Sequence, residues 1–260
     1  MKRSYLKKIN YLLTIALGGS MCISLFTSAK EPSPAEVQSA IGQGPFMTSN
    51  RVSMDNWRDK IRKPNELMSF LKIKPGSRIA DISAGDGYTT MYLTREAGAT
   101  GKVFAHNTPA WMGFIRPMIK DRVNDGPLKN IEWIEHPFEN PLPRSINNLD
   151  LITNILTYHD LLYMRVDRQK MNRVIYQALR PGGLYVIVDH AALDTDGAKV
   201  GHSLHRISEA FIIEEIKKAG FTLGSSSNIL RFDADDKKSL AWKTPQPRTD
   251  RFVLTFVKPK

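Results

Sequence analysis

Cysteine is almost missing from this chain. Its 260 residues include one, Cys22, inside an N-terminal apolar stretch. The rest of the sequence therefore has no disulfide, no thiolate metal centre and no cysteine nucleophile. Long hydrophobic runs are scarce too. Tyr11–Phe26 spans 16 residues, about 24 Å as a helix against the ~30 Å of a hydrocarbon core. No block of five Lys/Arg, zinc-finger spacing or aromatic ribonucleoprotein motif occurs. Cations outnumber acids 37 to 26, a net +11. Without residues 1–29, which hold four cations and no acid, the balance is 33 to 26, a net +7. These cations are dispersed, so we expect a solvated basic surface and no nucleic-acid partner. A Walker phosphate loop is absent, as is the G-x-S-x-G elbow of an α/β-hydrolase.

What is present is ordinary globular composition, 42% hydrophobic and 24% charged, enough for one sizeable core. Met1–Asn10 is basic, the apolar run follows, and Thr27-Ser28-Ala29 is small. That is the layout of a secretory signal. We expect a signal peptide over 1–29, a Pro/Gly-containing arm over 30–50 and one domain over 51–260. Membrane contact would come only from an uncut leader.

Strands and helices alternate along that domain. Arg78–Ile82, Lys102–His106, Ile131–Glu135, Leu149–Asn154 and Leu184–Val188 read as strands. Phe221–Ile229 and Phe252–Val257 read as later ones. Met171, Val174, Ile175, Ala178 and Leu179 form one apolar stripe, which predicts a helix over Asp167–Leu179. Ser208 suits the start of a helix reaching Ala219. The alternation implies a mostly parallel α/β sheet with ligands beyond the carboxyl ends of its strands.

Asp81-Ile82-Ser83-Ala84-Gly85-Asp86-Gly87 joins the first strand to a helix. The third glycine of a dinucleotide loop is missing, since Tyr88-Thr89-Thr90 follows. This turn resembles the first motif of class I S-adenosylmethionine-dependent methyltransferases, and Leu179-Arg180-Pro181-Gly182-Gly183 resembles their turn before the fifth strand. Over roughly Asn50–Pro259 the chain is similar to a group of exported bacterial predicted methyltransferases.

The resemblance implies a Rossmann-like seven-stranded sheet, order 3-2-1-4-5-7-6, helices on both faces and the last strand antiparallel. It implies S-adenosyl-L-methionine as cofactor, a small-molecule methyl acceptor and a periplasmic location. Gly85 and Gly87 would pass under the methionyl end. Asp81 would organise the loop or meet the amino group through water. Ser83 stands where the family has its first glycine. Asn107 stands where the second strand usually ends in a ribose-binding acid. Asn154 closes the fourth strand.

All six histidines follow strand ends: His106, His136, His159, His190, His202 and His205. Tyr158-His159-Asp160 follows the fourth strand and Asp189-His190 the fifth. We expect His159, or else His205, as a general base for an O–H or N–H acceptor, with Asp160 or Asp189 orienting the ring. His190, Arg206, Asp250 and Arg251 are expected to bind substrate, under a lid carrying Trp242. Two rivals stand beside this. One is a non-catalytic binding module on the same scaffold. The other is a metal-dependent enzyme using His159, His190, His202, His205 and Asp189. His202-x-x-His205 matches no strong ligand spacing, so no metal centre is expected.

Overall fold

The computed structural model describes residues 54–123, 130–242 and 248–260. The expected leader and arm, 1–29 and 30–50, lie outside these residues. Two short helices come first, α1 (Asp55–Arg62) and α2 (Pro64–Leu71). The sheet domain follows as β1 (Arg78–Ile82), α3 (Tyr88–Ala97), β2 (Lys102–Asn107), α4 (Pro109–Val123), β3 (Ile131–Glu135) and β4 (Leu149–Ile155). After a 3-10 turn at Tyr158–Asp160 come α5 (Arg168–Ala178), β5 (Leu179–His190), α6 (Gly201–Leu204), α7 (Glu209–Lys218), β6 (Thr222–Ser227) and β7 (Arg251–Val257).

The seven strands form one sheet in the order β3-β2-β1-β4-β5-β7-β6. β7 runs antiparallel to β5 and β6, while β1 through β5 pair in parallel. This is the order and the direction that the resemblance implied. Among the described residues no helix is long and apolar enough to cross a membrane.

Alternating side chains of β5 explain the layering. Tyr185 and Ile187 join one core with Met171 and Ile175 of α5 and Ile212 and Ile216 of α7. Val186 and Val188 join the other, with Leu67, Met68 and Leu71 of α2 and Tyr92 and Leu93 of α3. A strand stretch covered on both faces is expected to be apolar throughout, as Leu184–Val188 is.

Helix ends follow local chemistry. The Asp167 carboxylate accepts from the Lys170 N–H at 2.8 Å and opens α5. The Ser208 hydroxyl accepts from the Phe211 N–H at 3.1 Å and opens α7. These contacts satisfy amide groups that a first turn leaves without partners. One expectation is corrected. Pro181-Gly182-Gly183 does not lie outside the fifth strand but within it. β5 starts at Leu179, opposite Leu149, and the Gly182 N–H reaches the Lys258 carbonyl at 2.8 Å.

Candidate functional site: a glycine turn beside a histidine–carboxylate cluster

The turn after β1 bends through left-handed backbone at Ser83 (φ +63°), Gly85 (φ +59°) and Gly87 (φ +89°). A side chain at Gly87 would meet the Trp133 ring at 2.8 Å, so glycine is required there. A Cβ on Gly85 would have nothing within 4 Å, so this backbone borders open space. Ser83 holds a left-handed conformation that glycine adopts freely, at a cost of about 1 kcal/mol. Its hydroxyl accepts from Thr157 at 3.1 Å, tying the turn to the loop after β4.

Two side chains hold the turn and a third braces the strand before it. The Asn107 Oδ1 accepts from the Gly85 N–H at 2.9 Å, and its Nδ2 donates to the Gly85 carbonyl at 3.0 Å. His106 accepts the Ser83 N–H on Nδ1 at 3.3 Å, so its proton sits on Nε2 and goes to the His136 carbonyl at 2.8 Å. Burial keeps this ring neutral, its pKa pushed down to about 4. Asp81 accepts from the hydroxyls of Thr90 on α3 and Thr153 on β4, at 2.7 and 2.8 Å. Burial outweighs those two bonds and raises its pKa to about 6. Asp81 thereby ties the end of β1 to α3 and to β4.

The turn is also anchored by charge. Arg122 of α4, fully buried, donates from Nε to the Asp86 carbonyl at 2.7 Å. It also pairs with the carboxylates of Asp86 and of Asp55 on α1, both at 2.8 Å. Arg58 adds a 2.7 Å contact to Asp86. Burial opposes ionisation of Asp86, but the two guanidinium groups hold its pKa below the usual carboxylate range. Sequence reasoning missed this network, because isolated Arg and Asp residues read as solvated surface.

At the ends of β4 and β5 the expected catalytic residues do come together. His159 Nδ1 donates to Asp189 Oδ1 at 2.6 Å, and the His159 backbone N–H reaches Asp189 Oδ2 at 2.9 Å. On the other side of the ring, Nε2 lies 3.0 Å from Asp160 Oδ1. His205 Nδ1 lies 3.1 Å from the same oxygen and 3.3 Å from His159 Nε2. His159 is 1% exposed and His205 7%, while the Asp160 side chain keeps 16% of its surface.

Burial disfavours a charge on His159, but Asp189 and Asp160 more than compensate and raise its pKa to about 10. His159 and His205 in turn bring Asp160 down to about 2, against its own burial. In this form His159 is an imidazolium donating from both nitrogens. That corrects its expected role as a base near its ordinary pKa.

Other expected contacts are corrected as well. Asn107, expected at the ribose, bonds Gly85 through both ends of its amide. Arg206 is not free for an anionic substrate. It donates to the Asp235 carboxylate and to the carbonyls of Ala191 and Ser239. Asp250 accepts from Arg231, Lys237 and the Phe232 N–H, so it clamps its own loop.

Arg251 donates to the Ile61 carbonyl at 2.5 Å and leaves Nε without a partner. His190 bonds Thr249 at 2.8 Å and also leaves one nitrogen, Nε2, unpartnered. Burial, with help from neighbouring cations, lowers its pKa and keeps it neutral. Both Asn154 amide atoms are buried without a partner. His106, His136 and His202 stand apart from the cluster, the last packing its ring on Tyr163. Trp242, expected in a lid, lies edge-on to His190 at 5.7 Å.

Residues 47–208 match the model of the ubiE/COQ5 methyltransferase family. Among curated proteins, the "Ubiquinone/menaquinone biosynthesis C-methyltransferase UbiE" of Escherichia coli O1:K1 is 23% identical over 164 residues. The match covers 63% of this chain and 60% of that protein, and Shigella boydii UbiE gives the same figures. Among solved structures, a SAM-dependent methyltransferase from Aquifex aeolicus superposes with a TM-score of 0.55 at 19% identity, covering 77% of this chain and 92% of that one. YcgJ from Bacillus subtilis gives 0.54 at 14% identity, covering 76% and 99%. These two likenesses concern the fold.

Proposed function

The chain belongs to the ubiE/COQ5 methyltransferase family, and on that premise we propose that it transfers the methyl group of S-adenosyl-L-methionine to an oxygen or nitrogen of a small acceptor. The observation that carries this reading is the Ser83–Thr157 hydrogen bond. It puts a backbone turn suited to a nucleotide against the loop that holds His159 and Asp160.

The residues of the turn fit the cofactor. The open space over Gly85 is a cradle that any Cβ would narrow, at the start of α3. Gly85, Gly87 and Ser83 would hold the methionyl end, on a turn kept in shape by His106 and Asn107, with Asp81 at its entrance. The second strand ends without a free acid, so the ribose diol has to be held by other groups. Bound S-adenosyl-L-methionine supplies an electrophilic methyl on a sulfonium, which departs as a neutral thioether. The chain's own task is then to align the acceptor atom with that methyl and to help remove the acceptor's proton. With both protons of His159 directed at carboxylates, that ring orients Asp160 and does not take the proton itself.

A second reading is methylation at carbon. The name of the curated relatives, C-methyltransferase, favours it. Product analysis with a methyl-labelled donor separates the two, because a methyl on carbon resists hydrolytic demethylation.

Because the chain covers about 60% of the length of those relatives, the rival of a non-catalytic binding module has its own test. Calorimetry with S-adenosyl-L-methionine and S-adenosylhomocysteine should give saturable binding. No heat at millimolar ligand would favour the rival. The sequence of residues 1–29 supports export, and with it action in the periplasm. N-terminal sequencing of protein recovered from that compartment tests this.

A further inference from the structure

We propose that His159 Nε2, Asp160 Oδ1 and His205 Nδ1 are the three protein ligands of a divalent first-row transition-metal ion. The metal-dependent rival read from the sequence grouped His159, His190, His202, His205 and Asp189; the structure keeps His159 and His205 of that set and adds Asp160. The spacing of His202 and His205 is unhelpful, and the structure leaves His202 out of the cluster, exposed against Tyr163.

The geometry is that of one face of a coordination polyhedron. The three atoms are mutually 3.0, 3.1 and 3.3 Å apart. Bonds of about 2.1 Å put neighbouring donors about 3.0 Å apart in an octahedral site and about 3.4 Å apart in a tetrahedral one. A purely hydrogen-bonded cluster explains this triangle poorly. It aims two ring N–H groups at one carboxylate oxygen and sets their nitrogens side by side. A cation at the centre takes a lone pair from each.

A second observation points the same way. The far nitrogen of His159 is bound to the Asp189 carboxylate at 2.6 Å. Asp189 is itself held by the N–H groups of His159 and His190, at 2.9 and 2.8 Å. A carboxylate behind a histidine is the usual support of a metal-ligating ring, setting its tautomer and direction. The charge also balances. Asp160 and Asp189 bring two negative charges into a buried place, and a divalent ion neutralises both.

The backbone is shaped to close this triangle. Gly201 begins α6 with no room for a side chain, since its Cβ would lie 2.2 Å from the His159 carbonyl oxygen. That contact brings the 201–205 segment onto His159. His205 then turns through left-handed backbone at φ +51° to present Nδ1. Strain of this kind gathers where a side chain has to be aimed.

Two imidazoles and one carboxylate suit zinc, iron or cobalt better than magnesium or calcium. Three protein ligands leave at least one position open, and Asp160 is the most accessible of the three. An acceptor hydroxyl bound there would have its acidity raised and lose its proton to water, while His159, its Nε2 lone pair on the ion, keeps only the proton it shares with Asp189. This role rests on the methyl-transfer reading; ion binding does not.

The test uses the full chain without an affinity tag, stripped by a chelator. Zinc alone is titrated against a chromophoric chelator, and cobalt alone is followed by visible absorption. The expected result is one equivalent of zinc and one set of cobalt d–d bands. Asp160→Asn and His205→Gln should each abolish both, in protein whose far-ultraviolet circular dichroism is unchanged. Asp189→Asn, with all three donors intact, should weaken zinc about 10- to 100-fold. Sub-stoichiometric zinc without cobalt bands in folded protein overturns the proposal. So does zinc affinity that both ligand variants leave unaltered. S-adenosyl-L-methionine is absent throughout, so failure here is separate from failure of the methyl-transfer reading.

Discussion

Asn107 spends both ends of its amide on one residue, accepting from the Gly85 N–H at 2.9 Å and donating to the Gly85 carbonyl at 3.0 Å. The end of β2 thereby becomes a brace for the glycine turn. Asn107→Asp would install the acid that the resemblance implies at the end of the second strand, yet set a carboxylate against the Gly85 carbonyl. We expect a loss of about 2 kcal/mol in urea unfolding at neutral pH. Cofactor binding should also weaken. A more stable variant with tighter binding would show that the position is an ordinary ribose site.

Ser83 is held at φ +63° and accepts the Thr157 hydroxyl at 3.1 Å. Ser83→Gly relieves the backbone but loses that bond. Ser83→Ala keeps the strain and loses the same bond. The glycine variant should therefore be the more stable of the two, by about 1 kcal/mol. Thermal unfolding of both decides it, and equal midpoints would mean that the turn carries no strain.

Asp81 gives a pH signature. Its folded pKa is about 6, while an unfolded aspartate titrates near ~3.9. Between these values the folded chain binds a proton that the unfolded chain does not. Its contribution to stability therefore grows as pH falls through 6 and is lost again as pH rises. Referenced to Asp81→Asn, which cancels all other groups, the wild type should gain about 2 kcal/mol between neutral pH and the lower end of that window. Urea unfolding of both proteins at the two ends measures it. A difference independent of pH would mean that Asp81 titrates normally.

Gly201→Ala tests how the cluster is assembled. The added methyl has 2.2 Å of space before the His159 carbonyl, so α6 must move away. We expect about 1–3 kcal/mol of destabilisation. The His159–His205 contact should open as well, seen as a changed imidazole proton resonance. Wild-type stability and resonances would show that α6 does not press on His159.

Much of the fold was legible because its signals are local. The apolar stripe of α5, the Asp167 and Ser208 caps and the glycine turn each act within a few residues. Helix α4 was not, because Gly113 and Pro117 interrupt its pattern. The start of β5 was hidden because a Pro-Gly-Gly run reads as a turn until Leu149 and Lys258 pair with it. Within the site, the meeting of His159, Asp160, Asp189 and His205 followed from placing strand ends on one edge. The protonation of His159 did not, since it depends on two carboxylates that only the folded chain sets on opposite sides of the ring. Arg206 and Arg122 look like available cations in the sequence, but tertiary contacts have committed both.

The most direct test is calorimetric titration of S-adenosyl-L-methionine and S-adenosylhomocysteine into the purified protein, paired with the Gly85→Val variant. The account predicts one saturable site for each ligand in the wild type, and loss of binding when a branched side chain fills the space above the turn. Absence of heat and of any thermal shift at millimolar ligand would contradict it. So would undiminished binding by the valine variant.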